Sequence, residues 1–431
     1  MDGMTRSVDE QALVRTAHRV LPAGHFGNVA SDLIIAEGRG GRVWDASGNE
    51  YIDYLLGSGP MFVGHAHPEV TEAVLAQVPK GTTFFANNEH GIRLAEAIVE
   101  AVPCAGQVRF VSSGTEADMY AMRAARAFRR RDRILKFEGG YHGMSDWGLM
   151  SLAPRHLANF PTPVPDSAGI PRSAREEVLV APFNDLDAAR ALIAAHHDEL
   201  GGVILEPFQR LIPPAPGFLQ GIREVTAQYG IPLIFDEVVT GFRFAYGGAQ
   251  SYYGVTPDLC TLGKIVGGGF PLAAIAGRAD IMAHFDKAIV GEDGFLMQVG
   301  TLSGNPVAAA AGLATLSILR RPGAYEQVFA RGRALMQGLE ALIRQAGLPA
   351  QVVGEPPLFD VVFTAGEVRN YRDMLRADTA MQKHFNTQLR AAGILKGESK
   401  YYLSLAHTEE DVAQTLQAFA GAIAALPSKA G

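Results

Sequence analysis

From about Ser112 to Gly277 the chain alternates short apolar runs with amphipathic stretches, and this alternation restricts its fold more than any other feature. The order GGVILEP, then GFLQGIREVTAQYG, then IPLIFDEV reads as strand, helix, strand. The strand runs are apolar on both faces, so both must be covered, as in a parallel sheet packed between helices. The expected class is α/β. At 431 residues the chain exceeds one small core and suggests two or three domains, or one large domain with a satellite.

The flanking segments read differently. GRVWDASGNEYIDYLLG suggests a hairpin, with Trp44 to Ile52 wrapped around the turn residues ASGN. Tyr325 to Gly347 carries a helical repeat of apolar positions, and the tail HTEEDVAQTLQAFAGAIAAL opens with a Thr cap and a Glu two residues on. The two ends are expected to form a small α+β domain together, 1–62 with 318–431, around a large domain 63–317. Ser151 to Ala174 is rich in proline and polar residues and reads as a functional lid or a disordered segment.

Charge narrows the range of partners. The net charge is −7, and the basic run RAFRRRDR (Arg126 to Arg133) also contains an aspartate. A solvated helix end accounts for it, and nucleic acid is not an expected partner. The 2 cysteines, Cys104 and Cys260, sit in apolar settings and read as inert buried thiols in a reducing compartment. The first residues lack the apolar core of a secretory signal, and no apolar run reaches bilayer length. The expectation is a cytoplasmic protein without a membrane partner.

Ligands of parallel sheets bind beyond the carboxyl ends of the strands, so charges that directly follow strand runs matter most. Glu206 follows VIL, Asp236 and Glu237 follow LIF, and Lys264 follows LCTL. Neighbouring strands would bring these groups to one rim. Asp236 alone reads equally well as a helix cap. Lys264 is the only charge in LCTLGKIVGGGFPLAAIAG, where an unpaired ammonium is costly. A desolvated lysine is a good amine nucleophile, which points to Schiff-base chemistry.

Two further stretches carry polar groups to the ends of strand runs. In FVSSGTEADMYAMRAARAF, the residues Ser112, Ser113, Gly114 and Thr115 lead into a helix and could receive a phosphate, or form an ordinary cap with Glu116. The stretch is neither a P-loop nor G-x-G-x-x-G. In FEGGYHG, paired glycines place Tyr141 and His142 at a tight turn, where the ring could stack on a flat cofactor or simply pack the loop. A phosphate site, an aromatic ring, a buried acid and a buried lysine are together what a pyridoxal phosphate enzyme needs. No metal site is expected.

These residues resemble the class III aminotransferases of the fold-type I pyridoxal phosphate superfamily, and within them the glutamate-1-semialdehyde aminomutase-like branch. FVSSGTEA, KFEGGYHG, VILEP, LIFDEVVTGFRFAYGGAQ, VTPDLCTLGKIVGGGFPLAA and GTLSGNPVAAAAG follow in the family's order. The resemblance implies that Lys264 forms the Schiff base and then moves protons, and that Asp236 pairs with the pyridine nitrogen. It places Tyr141 on one ring face and Val238 on the other. Ser113, Gly114 and Thr115 hold the phosphate, and Thr301 reaches the phosphate of a neighbouring subunit. Glu206 sits near the ring hydroxyl, and His142 orients Asp236. It also implies a mainly parallel central sheet and a homodimer with active sites at the interface.

The departures from the aminomutases cluster at substrate positions. Ala30 in FGNVA stands where those enzymes carry a carboxylate-binding arginine, and Ser58 in GSGPMF replaces a tryptophan. The loop FQRLIPPAPGFL is shorter, and Ser399, beside Glu398, stands where they have a glutamate. Arg210 is a candidate handle for a substrate carboxylate, with a surface salt bridge as the alternative. Trp147 is a candidate for pocket cover, with packing as the alternative. The expected function is ping-pong transfer of an amino group from an amine or amino acid to a keto acid or aldehyde. The alternatives are an aminomutase-like isomerase or racemase, or a non-catalytic cofactor binder.

Overall fold

Seven apolar runs of the central region form one sheet, and the chain enters and leaves it through helices. In the computed structural model, which describes residues 6–28 and 32–426, these strands are β1 (Gln107–Val111), β2 (Arg133–Phe137), β3 (Val178–Ala181), β4 (Leu200–Leu205), β5 (Leu233–Glu237), β6 (Leu259–Leu262) and β7 (Ala273–Gly277). Their order across the sheet is β1-β7-β6-β5-β4-β2-β3. β6, β5, β4, β2 and β3 run parallel, and β7 is antiparallel to both of its neighbours. Every residue of β3 to β7 is buried, the consequence of apolar character on both faces.

Helix α1 (Gly114–Arg129) lies on this sheet. Its inward face is Ala117, Ala121, Ala124 and Ala125, all at 0% exposure. These short side chains allow a close approach: a Cβ added to Gly202 of β4 would lie 2.9 Å from that of Ala125. Beyond the helix, the basic run caps carbonyls. Arg129 donates to the backbone oxygens of Leu200, Tyr229 and His197, so part of the expected solvated helix end is spent on the chain itself.

The chain divides into a large unit, Glu69–Pro322 with Glu367–Leu375, and a small unit of Met1–Pro68, Gly323–Gly366 and Arg376–Gly431. These limits lie a few residues beyond the expected 62/63 and 317/318, and the return of Glu367–Leu375 was not expected. Within the large unit that excursion is fixed by Arg372, whose guanidinium pairs with Glu138 at 2.7 and 3.0 Å and donates to the Ala158 oxygen at 2.8 Å. Ser151 to Ala174 is ordered, because Asp166 accepts the N–H groups of Leu152 and Ala153.

In the small unit, strands Arg42–Asp45 and Glu50–Asp53 pair antiparallel. Asp45 shapes their turn by accepting the N–H groups of Ser47 and Asn49. Ile394–Leu395 adds to Glu50–Asp53 in parallel, so both ends of the chain share one sheet. The tail helix Glu409–Ala424 is capped by Thr408, and the reciprocal bond comes from Asp411, three residues on, instead of the expected glutamate two residues on. Among the described residues no helix is long and apolar enough to cross a membrane.

Candidate active site

β6, β5 and β4 are adjacent, and Lys264, Asp236 and Glu206 stand at or just past their carboxyl ends. The parallel direction of these strands therefore brings an amine and two carboxyls to one rim. Lys264 begins a short 3-10 turn and has φ +50, in the left-handed region. A non-glycine residue costs about 1 kcal/mol or more there. The sharp turn continues through Gly268, where φ is +58 and an added Cβ would lie 2.6 Å from the Ala311 carbonyl oxygen. Backbone and neighbours both require glycine at that position.

Asp236 is enclosed by donors. Nδ1 of His142 lies 2.8 Å from its Oδ2, and the N–H of Val238 lies 3.1 Å from its Oδ1. Asp236 is also in register with Thr261 of β6, whose hydroxyl donates to Asp118 at 2.6 Å and lies 3.4 Å from Asp236. One carboxyl oxygen each of Asp118 and Asp236 and a ring nitrogen of His142 lie within 4.8 Å of one another. Burial, and then the charge of Asp236, push the Asp118 carboxyl well above the usual carboxylate range.

Tyr141 and His142 are carried by the turn after β2. Lys136, buried in that strand, donates to the carbonyls of Gly140 at 3.1 Å and Gly148 at 2.8 Å. Burial lowers its pKa to about 7. Glu206 accepts the Tyr141 N–H at 2.8 Å, and the Arg210 guanidinium lies 5.4 Å from the centre of the Tyr141 ring. Burial raises the Tyr141 pKa.

The start of α1 adjoins this turn through Thr115, whose Oγ1 accepts the Met144 N–H at 3.2 Å. Ser113 is the cap of α1, joined reciprocally to Glu116. The cap alternative is thus realised: the Glu116 N–H is taken by Ser113, and the Ser112 and Ser113 N–H groups by the Glu116 carboxylate. Val238 is confined by two glycines: a Cβ on Gly114 would meet it at 3.0 Å, and one on Gly263 at 3.1 Å.

Trp147 donates its indole N–H to Glu177 at 2.8 Å and carries Arg126 over its ring at 4.4 Å. It also packs against Met150 and Val180. These contacts are those of the packing alternative. Thr301 is exposed and accepts a bond from Thr83 through its backbone oxygen. Ser58 belongs to the small unit, in a turn with φ +68. Ala30 lies outside the described residues.

The residues fit pyridoxal phosphate in kind. An amine suits its aldehyde, a carboxylate its ring nitrogen, an aromatic face its ring, and hydroxyls at a helix N-terminus its phosphate. Sequence reasoning missed Asp118, Thr261 and Lys136. A signal existed for two of them, since Asp118 is a charge on the apolar face of a helix and Lys136 a charge inside the strand run ILKF.

Comparison with known proteins agrees with this reading. The profile of the family described as aminotransferase class-III matches residues 26–423. An omega-transaminase from Sphaerobacter thermophilus is similar at 38% identity, with 96% of this chain and 97% of that chain covered and a TM-score of 0.90. A beta-phenylalanine aminotransferase from Variovorax paradoxus is similar at 34% identity, with coverages of 96% and 94% and a TM-score of 0.86. A glutamate-1-semialdehyde aminomutase from Pseudomonas aeruginosa PAO1 is similar at 25% identity, with coverages of 96% and 94% and a TM-score of 0.87.

Proposed function

The chain belongs to the class-III aminotransferases, a pyridoxal phosphate-dependent family of fold-type I, and from that membership we propose how its own residues carry out amino transfer. Pyridoxal phosphate, when bound, supplies an aldehyde that condenses with amines and a ring that accepts the electron pair left when the substrate carbon loses its proton. Lys264 Nζ would be the amine that holds the cofactor and, once displaced by the donor, would take the proton from the substrate carbon and deliver it to the carbon that was the cofactor's aldehyde, so that water can release the donor as a carbonyl. Asp236 pairs with the ring nitrogen, and His142 fixes the angle of its carboxylate.

Tyr141 and Val238 flank the ring, and Glu206 sits at its hydroxyl side. Ser113, Gly114 and Thr115 hold the phosphate. The observation that carries this assignment is the convergence of Glu206, Asp236 and Lys264 at the ends of three adjacent strands, with His142 2.8 Å from Asp236. The left-handed backbone of Lys264 supports it, because strain kept at a lysine suggests a functional constraint.

The active protein is a homodimer in which Thr301 serves the phosphate site of a second copy. Its exposure, beside exposed Phe84, Phe85, Met297, Val299 and Leu302, supports a covered surface. Free, buried Cys104 and Cys260 support a cytoplasmic setting.

The donor is an amine or an amino acid whose amino group lies away from the α carbon. The names of the omega-transaminase and of the beta-phenylalanine aminotransferase support that class. Arg210 is the handle for a carboxylate, and its place over Tyr141 supports the assignment.

The test mixes the holoenzyme with single amines, β-amino acids and glutamate-1-semialdehyde, without any acceptor. Bleaching of the visible band with one carbonyl product per site supports transamination and names the donor. Continued turnover of one compound to its isomer overturns it in favour of an aminomutase or racemase.

A further inference from the structure

Helix α1 presents an alanine face to the sheet, and Asp118 lies on that face at 1% exposure. A carboxyl in such a place must be neutral or firmly paired. Its Oδ1 accepts the Thr261 hydroxyl at 2.6 Å, and a carboxyl oxygen of Asp236 lies within 4.8 Å of one of its own. Two buried carboxyls this close are unlike two separate carboxylates: ionising one opposes ionising the other, and a proton between them relieves the repulsion. The donors decide where the charge sits. Asp236 faces His142 Nδ1 and the Val238 N–H, whereas Asp118 faces only a hydroxyl.

We propose that Asp118 is a protonated acid that donates to Asp236, a positioning residue through which the two carboxyls present one negative charge to the ring nitrogen of the cofactor. The proposal rests on the reading that Asp236 faces that nitrogen. Asp118 adds another donor to the Asp236 carboxylate, beside His142 and Val238. Burial and the Asp236 charge both favour the protonated form. The charged and titratable groups on surrounding elements are Asp236 on β5, His142 and Tyr141 on the turn after β2, Lys136 on β2, Glu206 after β4 and Lys264 after β6.

The test uses the full chain freed of cofactor, as wild type, Asp118→Asn and Asp118→Ala. Because burial also raises Glu237 and Asp360, the readout is the infrared difference spectrum near neutral pH, in which the wild type is expected to show one carboxylic-acid carbonyl band more than either variant. The pH dependence has a definite sign. A carboxyl whose folded pKa is raised contributes stability that is full below its unfolded pKa and is lost as pH rises through the folded value. The melting temperature of the wild type therefore falls relative to Asp118→Asn as pH rises above the usual carboxylate range, with the other groups common to both proteins.

Pyridoxal phosphate titration supplies the second readout. Asparagine makes the same bond without charge and keeps the affinity within about twofold, while alanine weakens it about tenfold or more. Absence of the acid band from the difference spectrum, or an asparagine variant as impaired as the alanine one, overturns the proposal. Failure of the underlying reading looks different: Asp236→Asn then leaves the affinity and the visible band unchanged, while the infrared result on the cofactor-free chain stands.

Discussion

Glu206 accepts the backbone N–H of Tyr141 at 2.8 Å through one carboxylate oxygen and that of Arg210 at 3.3 Å through the other. One side chain at the end of β4 thereby ties together the two loops assigned to the ring and to the substrate. A bond to a buried carboxylate contributes about 1.5–3 kcal/mol. Glu206→Ala is expected to weaken cofactor binding about tenfold or more, read by fluorescence titration, and Glu206→Gln less, because an amide oxygen still accepts one bond. Equal, unchanged affinities in both variants would remove Glu206 from the site.

Lys136 makes the stability of the site depend on pH. Its folded pKa, about 7, lies below the ordinary 10.5, so the folded state binds fewer protons than the unfolded state between those values. Its contribution is present above about 10.5, declines as pH falls towards 7, and is constant below. Thermal unfolding of wild type against Lys136→Met should give a difference that changes by a few kcal/mol across that window and then levels off. A difference independent of pH would contradict the lowered value.

Gly114 and Gly263 confine Val238 from two sides, at 3.0 and 3.1 Å from any added Cβ. Gly114→Ala must therefore displace a side chain assigned to the ring face. The variant is expected to fold and to lose about tenfold in cofactor affinity. Gly114→Ala combined with Val238→Ala should recover most of the loss, the signature of coupling between contacting residues. Strictly additive losses in the double variant would show that the phosphate end, and not the ring face, is disturbed.

Lys264→Ala removes the proposed amine. Activity should fall about a thousandfold, within the range of a lost proton-transfer group, while the fold and non-covalent cofactor binding persist. Borohydride reduction followed by peptide mass analysis should place the cofactor on Lys264 in the wild type and on no residue in the variant. Full activity in Lys264→Ala would sink the mechanism.

Much of this site was legible because sequence order and strand direction together dictate a rim. Apolar runs ending at Glu206, Asp236 and Lys264 required only that the strands be neighbours, and they are. The packing of Trp147 was not legible, because only the fold brings Glu177 and Arg126 to its ring. Asp118 was missed for a related reason. Its place among the alanines of one helix face marks it as buried, but that pattern does not say against what. Its meaning depends on Thr261, 143 positions away, a separation that local pattern cannot bridge. The return of Glu367–Leu375 to the large unit was equally invisible, since it rests on Arg372 finding Glu138.

The proposed dimer is tested at the surface around Thr301. Phe85 and Met297 are each 70% exposed and Val299 63%, an apolar grouping that a monomer in water would rarely maintain. The bond from Thr83 to the Thr301 carbonyl holds the segment after Gln298 against the segment that carries Phe84 and Phe85. Phe85→Asp with Met297→Asp should shift the protein from dimer to monomer in sedimentation, since two buried carboxylates would face apolar surface. Cofactor affinity should fall in parallel, because the monomer lacks the Thr301 hydroxyl of a second copy. Thr301→Ala separates the two effects: it should remain dimeric while losing about tenfold in affinity. A double variant that stays dimeric, or a Thr301→Ala protein that binds cofactor like the wild type, would place the interface, or the phosphate contact, elsewhere.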